Sequence, residues 1–404
     1  MKTINISELI DSGEASIQTG PFGTQLKAKD YVESGTPVIN VKNVGFGTIR
    51  HAGLEYVNDK MREKLSAHIL QKGDIVFGRK GAVERHALIY DHGDGWIQGS
   101  DCLRLRINSN RVNNRFVSYY LRTQAHQDWM QALCSFGATM ASLNQGIVKR
   151  ISLPLPSTQT QDKVAAILTS YDDLIETNNQ RIQLLEKMAE EIYKEWFVRL
   201  RFPGHETVKV VKGVPSGWST STIKSLISRK PTPKKYKEKE VLGEGRVPVL
   251  DQSTKDTLGF HNGDVDFKAT NDDPIIVFGD HSCKMLLMES DFSLAENMIP
   301  FTPKTKDVLA HYLFYTVKGL AKTTEYKRHW GDLVIKEVFV APRNLQIEFG
   351  DLVKTNLKEI NLLKEVNQNL SDTRDKLLPR LISGKLSVEN LDINFPPSME
   401  DALA

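Results

Sequence analysis

Two long segments of the chain repeat their apolar residues in alternating steps of four and three. The first runs from Pro156 to about Leu200, and the second runs from Pro342 to about Ile382. The repeating positions of the first segment are Val164, Leu168, Tyr171, Ile175, Asn178, Ile182, Leu185, Ala189, Ile192 and Trp196. Those of the second segment are Phe349, Val353, Asn356, Ile360, Leu363, Asn367, Leu370, Arg374, Leu377 and Leu381. A pattern of this period, kept over so many turns, predicts two long helices that meet in a coiled-coil seam.

The stretches that precede the two segments also resemble each other. Three short blocks recur in the same order in both halves of the chain, as the pairs Pro37–Ile39 with Pro248–Leu250, Ile75–Gly78 with Ile276–Gly279, and Asn114–Leu121 with Ala310–Val317. Two copies of one fold with loops of different length would give this pattern.

The duplication predicts an α+β fold in which two similar α/β domains are joined by two long helices. If a pseudo-two-fold axis relates the halves, the helices must run antiparallel in their coiled coil. The predicted boundaries are 1–155 for the first domain, 156–204 for the first long helix, 205–218 for a linker, 219–341 for the second domain, 342–386 for the second long helix, and 387–404 for an acidic, loosely packed tail.

The ends of the long helices carry their own signals. Thr158 and Gln161, three residues apart after a proline, have the spacing of a capping box and are predicted to satisfy free backbone donors of the first helix. Pro379 is predicted to kink or end the second helix, and Gly384 to cap it. In the first domain a loop is predicted at Ser135–Thr139.

The composition is that of an ordinary globular protein. A chain of 404 residues is long enough for two or three domains, and its net charge of +3 permits nucleic-acid binding without requiring it. The three scattered cysteines, Cys102, Cys134 and Cys283, are predicted to be reduced thiols of a cytoplasmic protein. No apolar run approaches the roughly 20 residues of a membrane span, and the N-terminus lacks the apolar region of a signal peptide.

Catalytic motifs are not found in the sequence. It contains no P-loop, no His-Glu-x-x-His and no complete Rossmann fingerprint. The adjacent carboxylates Asp272 and Asp273 lack the lysine that a nuclease would place nearby, so they are interpreted as a turn. We therefore expect no catalytic residue, no metal site and no bound cofactor on this chain.

A series of short motifs runs from the first domain to the end of the second helix. These motifs are Gly20–Lys27, Gly35–Ile39, Gly73–Val76, Pro156–Leu168, Trp196–Gly204, Gly213–Trp218 and Leu377–Leu386. In this order and at this spacing they resemble the specificity (S) subunit of type I restriction–modification enzymes over nearly the whole chain. One departure is that the second domain has Lys230–Lys235 where the first has Gly-Pro-Phe-Gly.

The resemblance implies a non-catalytic reader of double-stranded DNA. Each domain would be a target recognition domain that reads one half of a bipartite site. The helices would set the gap between the halves and bind two methyltransferase subunits, which carry S-adenosylmethionine. Motor-nuclease subunits, which use ATP and Mg, would join them in the full complex.

Loops of both domains mix basic, amide and aromatic groups. Arg or Lys can pair with guanine, Asn or Gln with adenine, and Asp or Glu with cytosine, whereas other basic groups would hold phosphates. The candidate DNA-binding residues of the first domain are Gln25, Lys27, Asn40, Lys42, Asn43, Arg79, Lys80, Arg85, Ser142 and Asn144. Those of the second are Lys234, Lys235, Asp251, Gln252, Ser253, His281, Lys284, Arg328 and His329. For any one of them a solvated surface position is the alternative.

Apolar residues beside the seam are candidates for binding partner subunits. They are Ile167, Leu174 and Met188 on the first helix and Leu352, Leu357 and Leu362 on the second. A two-stranded coil leaves such positions exposed, and a row of them marks an interface, although the recognition domains could cover them instead. The seam asparagines Asn178 and Asn367 could fix the helix register or face a partner.

Two other classes of protein remain open from the sequence. One is a structural coiled-coil scaffold whose globular ends bind proteins, and it would lack the salt-dependent DNA affinity of a phosphate-contacting reader. The other is a fused methyltransferase or nuclease, against which the missing motifs argue.

Overall fold

The computed structural model describes residues 2–21, 23–135, 141–253, 256–323 and 327–400. It divides into two compact units. The first unit comprises Met1–Thr177 together with Val366–Ala404, and the second comprises Asn178–Glu365. The boundary therefore falls inside both long helices, so that each unit holds one domain and a part of each helix. Most of the loop predicted at Ser135–Thr139 lies outside the described residues.

The first domain contains eleven strands and five helices among its described residues. The strands are β1 Thr3–Asn5, β2 Ala15–Thr19, β3 Tyr31–Val32, β4 Thr36–Ile39, β5 Phe46–Gly47, β6 Glu55–Val57, β7 Ile75–Gly78, β8 His86–Leu88, β9 Ile97–Gln98, β10 Cys102–Ile107 and β11 Ser152–Pro154. The helices are α1 Ile6–Asp11, α2 Asp59–Lys64, α3 Asn114–Leu121, α4 Gln124–Ser135 and α5 Gln145–Lys149.

These strands form a two-stranded sheet and two larger ones. The main sheet has the order β2-β10-β7-β8-β5, the smaller has the order β3-β6-β4-β9, and β1 pairs with β11. The strands of the main sheet are rich in β-branched and aromatic residues, as the buried run of β7 shows. Side chains such as Ile75, Leu103 and Leu105 fill a core that α1, α3 and α5 cover through Leu9, Val117 and other buried residues.

The linker and the second domain contain the next eleven strands. They are β12 Val210–Val211, β13 Val214–Pro215, β14 Ser219–Thr222, β15 Ile227–Arg229, β16 Val247–Leu250, β17 Thr257–His261, β18 Ile275–Gly279, β19 Met285–Met288, β20 Ser293–Leu294, β21 Met298–Pro303 and β22 Glu337–Val340. The helices that follow the first domain are α6 Thr158–Tyr193, α7 Ile223–Leu226, α8 Ala310–Val317, α9 Trp330–Val334, α10 Arg343–Ile382 and α11 Pro397–Glu400.

The second domain repeats the strand pairing of the first. Its main sheet has the order β15-β21-β18-β19, which matches β2-β10-β7-β8, and β14 pairs with β22 as β1 pairs with β11. In the smaller sheets, β4 runs parallel to β9 and antiparallel to β6, and β16 runs parallel to β20 and antiparallel to β17. The predicted duplication of an α/β domain is confirmed.

In the first unit, the start of α6 packs against the end of α10. Val164 and Leu168 of α6 share a buried cluster with Leu378 and Leu381 of α10. Residues later in α6 contact residues earlier in α10. Asp172 lies 2.6 Å from Arg374, and the carbonyl oxygen of Ile175 lies 3.5 Å from the side-chain nitrogen of Asn367. Within this unit the two helices therefore run antiparallel.

The second unit shows the same arrangement with the other parts of the two helices. Ile182 packs with Ile360 and Leu363, and Ala189 lies in the same core as Phe349 and Val353. Most residues in contact are seam positions of the 4,3 pattern, so the predicted seam is confirmed in both units, and Leu378 and Asp172 stand next to the seam positions Leu377 and Tyr171. Asn178 and Asn367 lie on the seam, where Asn178 is buried and Asn367 is partly buried.

The helix ends differ from the prediction in two respects. The N-terminal cap of α6 is Ser157, whose hydroxyl accepts a hydrogen bond from the Thr160 N–H, while Gln161 is fully buried and bonds elsewhere. The prediction of a Thr158–Gln161 capping box is therefore wrong. Pro379 lies inside α10, which continues to Ile382.

Gly384 follows α10 with a φ of +72°, and its N–H donates to the Leu381 carbonyl. This left-handed conformation suits glycine, as predicted for a helix cap.

The C-terminal segment is packed on the first unit, contrary to the expectation of a loose tail. Val388 and Met399 are buried, and Met399 covers Ala165 and Ala166 of α6. The Ser398 hydroxyl donates to Asp173 at 2.7 Å. The sequence shows the acidic residues of this segment but not the apolar contacts that hold it. None of the helices in the described part of the chain is long and apolar enough to cross a membrane.

Candidate DNA-recognition edges and helix faces

Five loops of the first domain converge at one end of its sheets. We call this end the first loop edge, and its described residues are 20–21, 23–27, 40–43, 79–85, 99–101 and 141–145. Backbone hydrogen bonds fix the loops to each other: Arg79 N–H donates to the Asp101 carbonyl, and Leu143 N–H donates to the Arg79 carbonyl. The ammonium of Lys80 also lies 3.5 Å from the Asp101 carboxylate. Most of the predicted DNA-binding residues of this domain therefore lie together.

A polar cavity of about 380 Å³ opens beside this edge. It is lined by Tyr31, Asn40, Lys42, Glu55 and Asp101, with Val41 and Ser100. The Asn40 amide donates to Glu55 at 2.8 Å, and the Lys42 ammonium lies 3.0 Å from the same carboxylate. Glu55, which the sequence did not single out, thus fixes two of the candidate residues in place.

Three predicted residues of the first domain hold its loops together. Asn43 is fully buried and donates to the carbonyl oxygens of Arg50 and Ala52, so it cannot reach DNA from this position. Asn144 caps α5 by accepting a hydrogen bond from Ile147 N–H. Arg85 places its guanidinium 5.5 Å from the ring centroid of Phe46, a partly exposed aromatic residue. By contrast, Gln25, Lys27, Lys80 and Ser142 are exposed and Arg79 is half-buried.

The second domain builds an equivalent edge. This second loop edge consists of residues 230–237, 251–253, 280–284, 296–298 and 327–330. Its bonds repeat those of the first: Asp280 N–H donates to the Asn297 carbonyl, and His329 N–H donates to the Asp280 carbonyl. His281 is held by Gln252, whose side-chain oxygen accepts from the His281 N–H at 3.1 Å.

The segment Lys230–Lys235 follows β15 as Gly20–Lys27 follows β2. Both segments lead into the same local turn, in which Lys27 N–H donates to Asp30 in the first domain and Lys237 N–H donates to Glu240 in the second. Counted back from this turn, Lys230 stands in the place of Gly20 and Pro233 in the place of Gly23, while Lys234 and Lys235 replace Thr24 and Gln25.

Positive charge is concentrated at the second loop edge. The pKa of Lys235 is lowered by partial burial and by the nearby cations Arg229 and Arg328, while Glu296 and Asp280 oppose the shift. Such a cluster of cations suits phosphate groups. Lys284 is tied to the Ser253 carbonyl and lies 2.6 Å from Asp256.

His329 is buried and belongs to the turn that starts α9, where the Asp280 carboxylate accepts its N–H at 3.0 Å. The structure therefore places His329, one of the candidate DNA contacts, in the interior of the domain.

Both long helices expose apolar side chains outside the seam. The exposed fractions are 52% for Leu174, 53% for Met188, 47% for Leu352 and 59% for Leu362. In the second unit, Arg181 and Glu359 form an ion pair at 2.6 Å beside the seam. Met188 stands seven residues after Arg181, and Leu352 stands seven residues before Glu359. Because seven residues are one seam repeat, Met188 and Leu352 lie on the same side of the helix pair as this ion pair.

Ile167 and Leu357, also predicted as partner-binding residues, are only half-buried. Ile167 packs against the cluster of Val164 and Leu168, and Leu357 packs against that of Ile182 and Ile360. These two side chains belong mainly to the internal contacts of the molecule.

A buried glutamine ties each domain to the helix that follows it, and sequence reasoning missed this role. The Gln161 side-chain oxygen accepts from the Asn113 N–H at 2.9 Å, and its amide donates to the carbonyls of Arg111 and Pro156. The Gln346 side chain makes the corresponding three bonds: its oxygen accepts from the Leu309 N–H, and its amide donates to the carbonyls of Asp307 and Ala341. The occurrence of glutamine near the start of both helices was the available signal.

Comparisons with known proteins agree with this duplicated fold. Residues 5–187 match the family model described as the type I restriction modification DNA specificity domain. The specificity subunit of the type I restriction enzyme MjaIX from Methanocaldococcus jannaschii is 25% identical, over 96% of this chain and 95% of that protein. The HindI specificity subunit from Haemophilus influenzae is 26% identical, over 40% of this chain and 35% of that protein.

A solved structure has the same fold. It is the crystal structure of the type I restriction–modification system S subunit from M. genitalium, which aligns with a TM-score of 0.57 and 17% identity, over 94% of this chain and 95% of that one. This likeness supports the duplicated α/β fold described above. Residues 5–187 therefore match the DNA specificity domain of type I restriction–modification enzymes, and the chain as a whole is similar to type I restriction enzyme specificity subunits.

Proposed function

We propose that each loop edge reads one half of a bipartite DNA site. The observation that carries this proposal is that the same edge is built twice from the same backbone bonds, but with different side chains. Asn40 and Lys42 occupy a loop of the first edge, and Asp251 and Gln252 occupy the corresponding loop of the second. Since these side chains pair with different bases, the two half-sites should be unlike.

The proposed site has an unread spacer between its halves. Helices α6 and α10 each continue through both units, and a helix of 36 residues is about 54 Å long at 1.5 Å per residue. We expect the centres of the half-sites to be about 34 Å apart, or a little more, if both edges approach one face of the duplex.

Two methyltransferase subunits are the proposed partners on the helices. The exposed apolar side chains of the helices support this proposal. Single exposed apolar residues are common on any protein surface, but a row of them marks an interface. In the second unit the face includes Met188 and Leu362, and in the first it includes Leu174 and Val366, which is 37% exposed. Motor-nuclease subunits would join the complex, with S-adenosylmethionine and with ATP and Mg bound on the partners. Such a complex would act on DNA in the cytoplasm.

The test of DNA reading is to co-express the chain with its methyltransferase partner and map methylated positions across a genome. The expected result is one bipartite motif with two unlike halves and a fixed spacer. The purified complex should also lose DNA affinity steeply as salt rises. A complex without salt-dependent DNA binding would instead support a coiled-coil scaffold that binds proteins. Methyl transfer by the purified chain alone would show that the chain is itself a methyltransferase.

The test of partner binding uses paired charge substitutions on the helix faces. Met188→Asp with Leu362→Asp should remove one methyltransferase from a complex of two per chain, and Leu174→Asp with Val366→Asp should remove the other. Lys187→Asp is the matched control, because Lys187 is an exposed charged residue next to Met188. Native mass spectrometry gives the stoichiometry, and an unchanged complex with all four substitutions would exclude these faces.

A further inference from the structure

The first domain is pinned to the long helices at both ends of α3. At the start of α3, the Asn113 amide donates to Asp162 at 2.7 Å, beside the Gln161 contacts. At its end, Arg122 donates to Asp172 at 2.8 Å. Gln161 and Asp172 lie on one helix about 16 Å apart at 1.5 Å per residue. Two anchors at this separation fix both the position and the angle of α3 against α6.

The anchor at Asp172 joins three helices. Its carboxylate accepts from the Tyr119 hydroxyl of α3 at 2.8 Å, from Arg122 directly after α3, and from Arg374 of α10 at 2.6 Å. All three charged side chains are largely buried, with exposed fractions of 25% for Asp172, 12% for Arg122 and 16% for Arg374. Charge-assisted hydrogen bonds in such surroundings are directional, so they hold α3 in one orientation against α6 and α10.

The second unit lacks this ionic anchor at the corresponding described positions. Leu357 stands as far along α10 from Gln346 as Asp172 stands along α6 from Gln161. The residue equivalent to Tyr119 is Tyr315, which packs on Phe349 with ring centroids 5.5 Å apart. Lys318, in the place of Arg122, pairs with Glu190 of α6 at 2.6 Å, and both side chains are 36% exposed.

A further polar link in the second unit joins Glu289 of the domain to Asn361 of α10 at 3.0 Å and to His311 at 3.2 Å. The Glu289 carboxylate of that link bonds to an amide and an imidazole, whereas Asp172 bonds to two arginines. The second domain is therefore held mainly by aromatic packing, which tolerates small rotations better than a fork of charged hydrogen bonds does.

We propose that Asp172 is a positioning residue that sets the angle of the first recognition domain and thereby selects the spacer length of the DNA site. This inference rests on the proposed function, because the spacer has meaning only for a bipartite reader. Asp172 bonds to Tyr119, Arg122 and Arg374, and none of these three residues belongs to the first loop edge, so we expect no change in the choice of bases. Loss of the anchor would let the domain swing about the Gln161 contacts and reach half-sites at neighbouring spacings.

The variant Asp172→Asn keeps the size of the side chain and removes its charge. Co-expressed with the methyltransferase partner, it should methylate sites whose spacer is one base pair longer or shorter severalfold more than the wild-type chain does, with the same half-site bases. Glu190→Gln is the matched control in the second unit, and it should leave the spacer preference unchanged. An unchanged spacer preference in Asp172→Asn, or altered half-site bases, would overturn the proposal.

A second measurement separates this proposal from the proposed function. In the purified chain, spin labels at Glu33→Cys and Thr177→Cys, both exposed residues of the first unit, report the distance between domain and helix. Cys283→Ser removes the cysteine that is not buried. Asp172→Asn should broaden this distance distribution even if no DNA site is found, and an unbroadened distribution would refute the anchor.

If Asp172→Asn does not fold, Arg122→Lys replaces it, because lysine keeps the charge but loses the fork of two N–H donors. The same broadening of spacer preference and of distance is expected. If wild-type chain and partner methylate no bipartite site, the proposed function fails, whereas the distance measurement still decides whether Asp172 fixes the domain.

Discussion

At the scale of single residues, buried polar side chains decide how each domain meets its helix. Gln161 and Gln346 each satisfy one backbone N–H and two carbonyl groups. Buried backbone groups must be paired, so these bonds fix one arrangement of the domain on the helix. The sequence shows both glutamines, but it could not show their role, since two of the three groups that each side chain bonds lie about 50 or 40 residues earlier in the chain and meet it only in the folded molecule.

The substitution Gln161→Ala should destabilise the first unit by about 2–4 kcal/mol, because it leaves three buried backbone groups without their partner. Hydrogen exchange at the Asn113 amide, followed by mass spectrometry, should become faster while that at the Leu309 amide stays slow. Gln346→Ala is the matched control and should reverse this order. Equal exchange at both amides in each variant would contradict the assigned role.

Asp172 should also give the first unit a stability that depends on pH. Burial would raise the pKa of this carboxyl, but Arg122 and Arg374 outweigh burial and hold the pKa below its ordinary value of 3.8. Since the folded pKa lies below the unfolded one, the stabilisation is present above pH 3.8 and is lost as the pH falls towards the folded pKa. The difference in urea midpoint between wild type and Asp172→Asn should therefore shrink on acidification. A difference that grows with acid would be the wrong sign.

At the scale of elements, the sequence predicted the long helices better than their ends or their surroundings. The seam positions recur with a fixed period, and burial of that seam is a local property of each helix, so the pattern alone revealed it. The cap at Ser157 and the passage of α10 through Pro379 depend on a few local bonds that the pattern does not record. The packing of Met399 on Ala165 was invisible for another reason, because it joins distant parts of the chain.

Lengthening both helices by one seam repeat should change the spacer of the DNA site. Seven residues inserted in each helix beside the Ile182–Ile360 contact preserve the seam register and add about 10 Å. At 3.4 Å per base pair this should lengthen the preferred spacer by about three base pairs, with unchanged half-site bases. Methylation mapping gives both quantities, and an unchanged spacer would argue against a role of the helices in spacing.

A four-residue insertion near Glu186 in α6 alone is the control for this experiment. It adds about 6 Å to one helix but shifts its seam against α10, because four residues are not a whole repeat. We expect this variant to lose folding or DNA binding rather than to read a longer spacer. Normal reading of a longer spacer would mean that the seam does not constrain the helices.

At the scale of the whole molecule, the duplication could be predicted because core strands and α3 or α8 keep short recognisable blocks. The loop edges could be predicted only in part. Exposed candidates such as Lys27 and Lys80 lie at the first edge, whereas the candidate Asn43 became a buried support for the loop. Basic and amide side chains serve equally well for binding and for holding loops, so composition alone could not separate the two uses.

The two domains should be exchangeable modules. Replacing residues 1–155 with the first domain of another specificity subunit should change one half-site and leave the other half-site intact, because the second loop edge lies wholly in the second unit. The replaced segment includes Arg122, so the incoming domain should carry an arginine where it meets Asp172; otherwise a buried carboxylate loses a partner.

A chimaera with that arginine should keep the original spacer, and one without it should read a broader set of spacers. Methylation maps of the two chimaeras against the parent chain measure base choice and spacing separately. A change in both half-sites at once would disprove the modular arrangement, since it would mean that the domains do not read DNA independently.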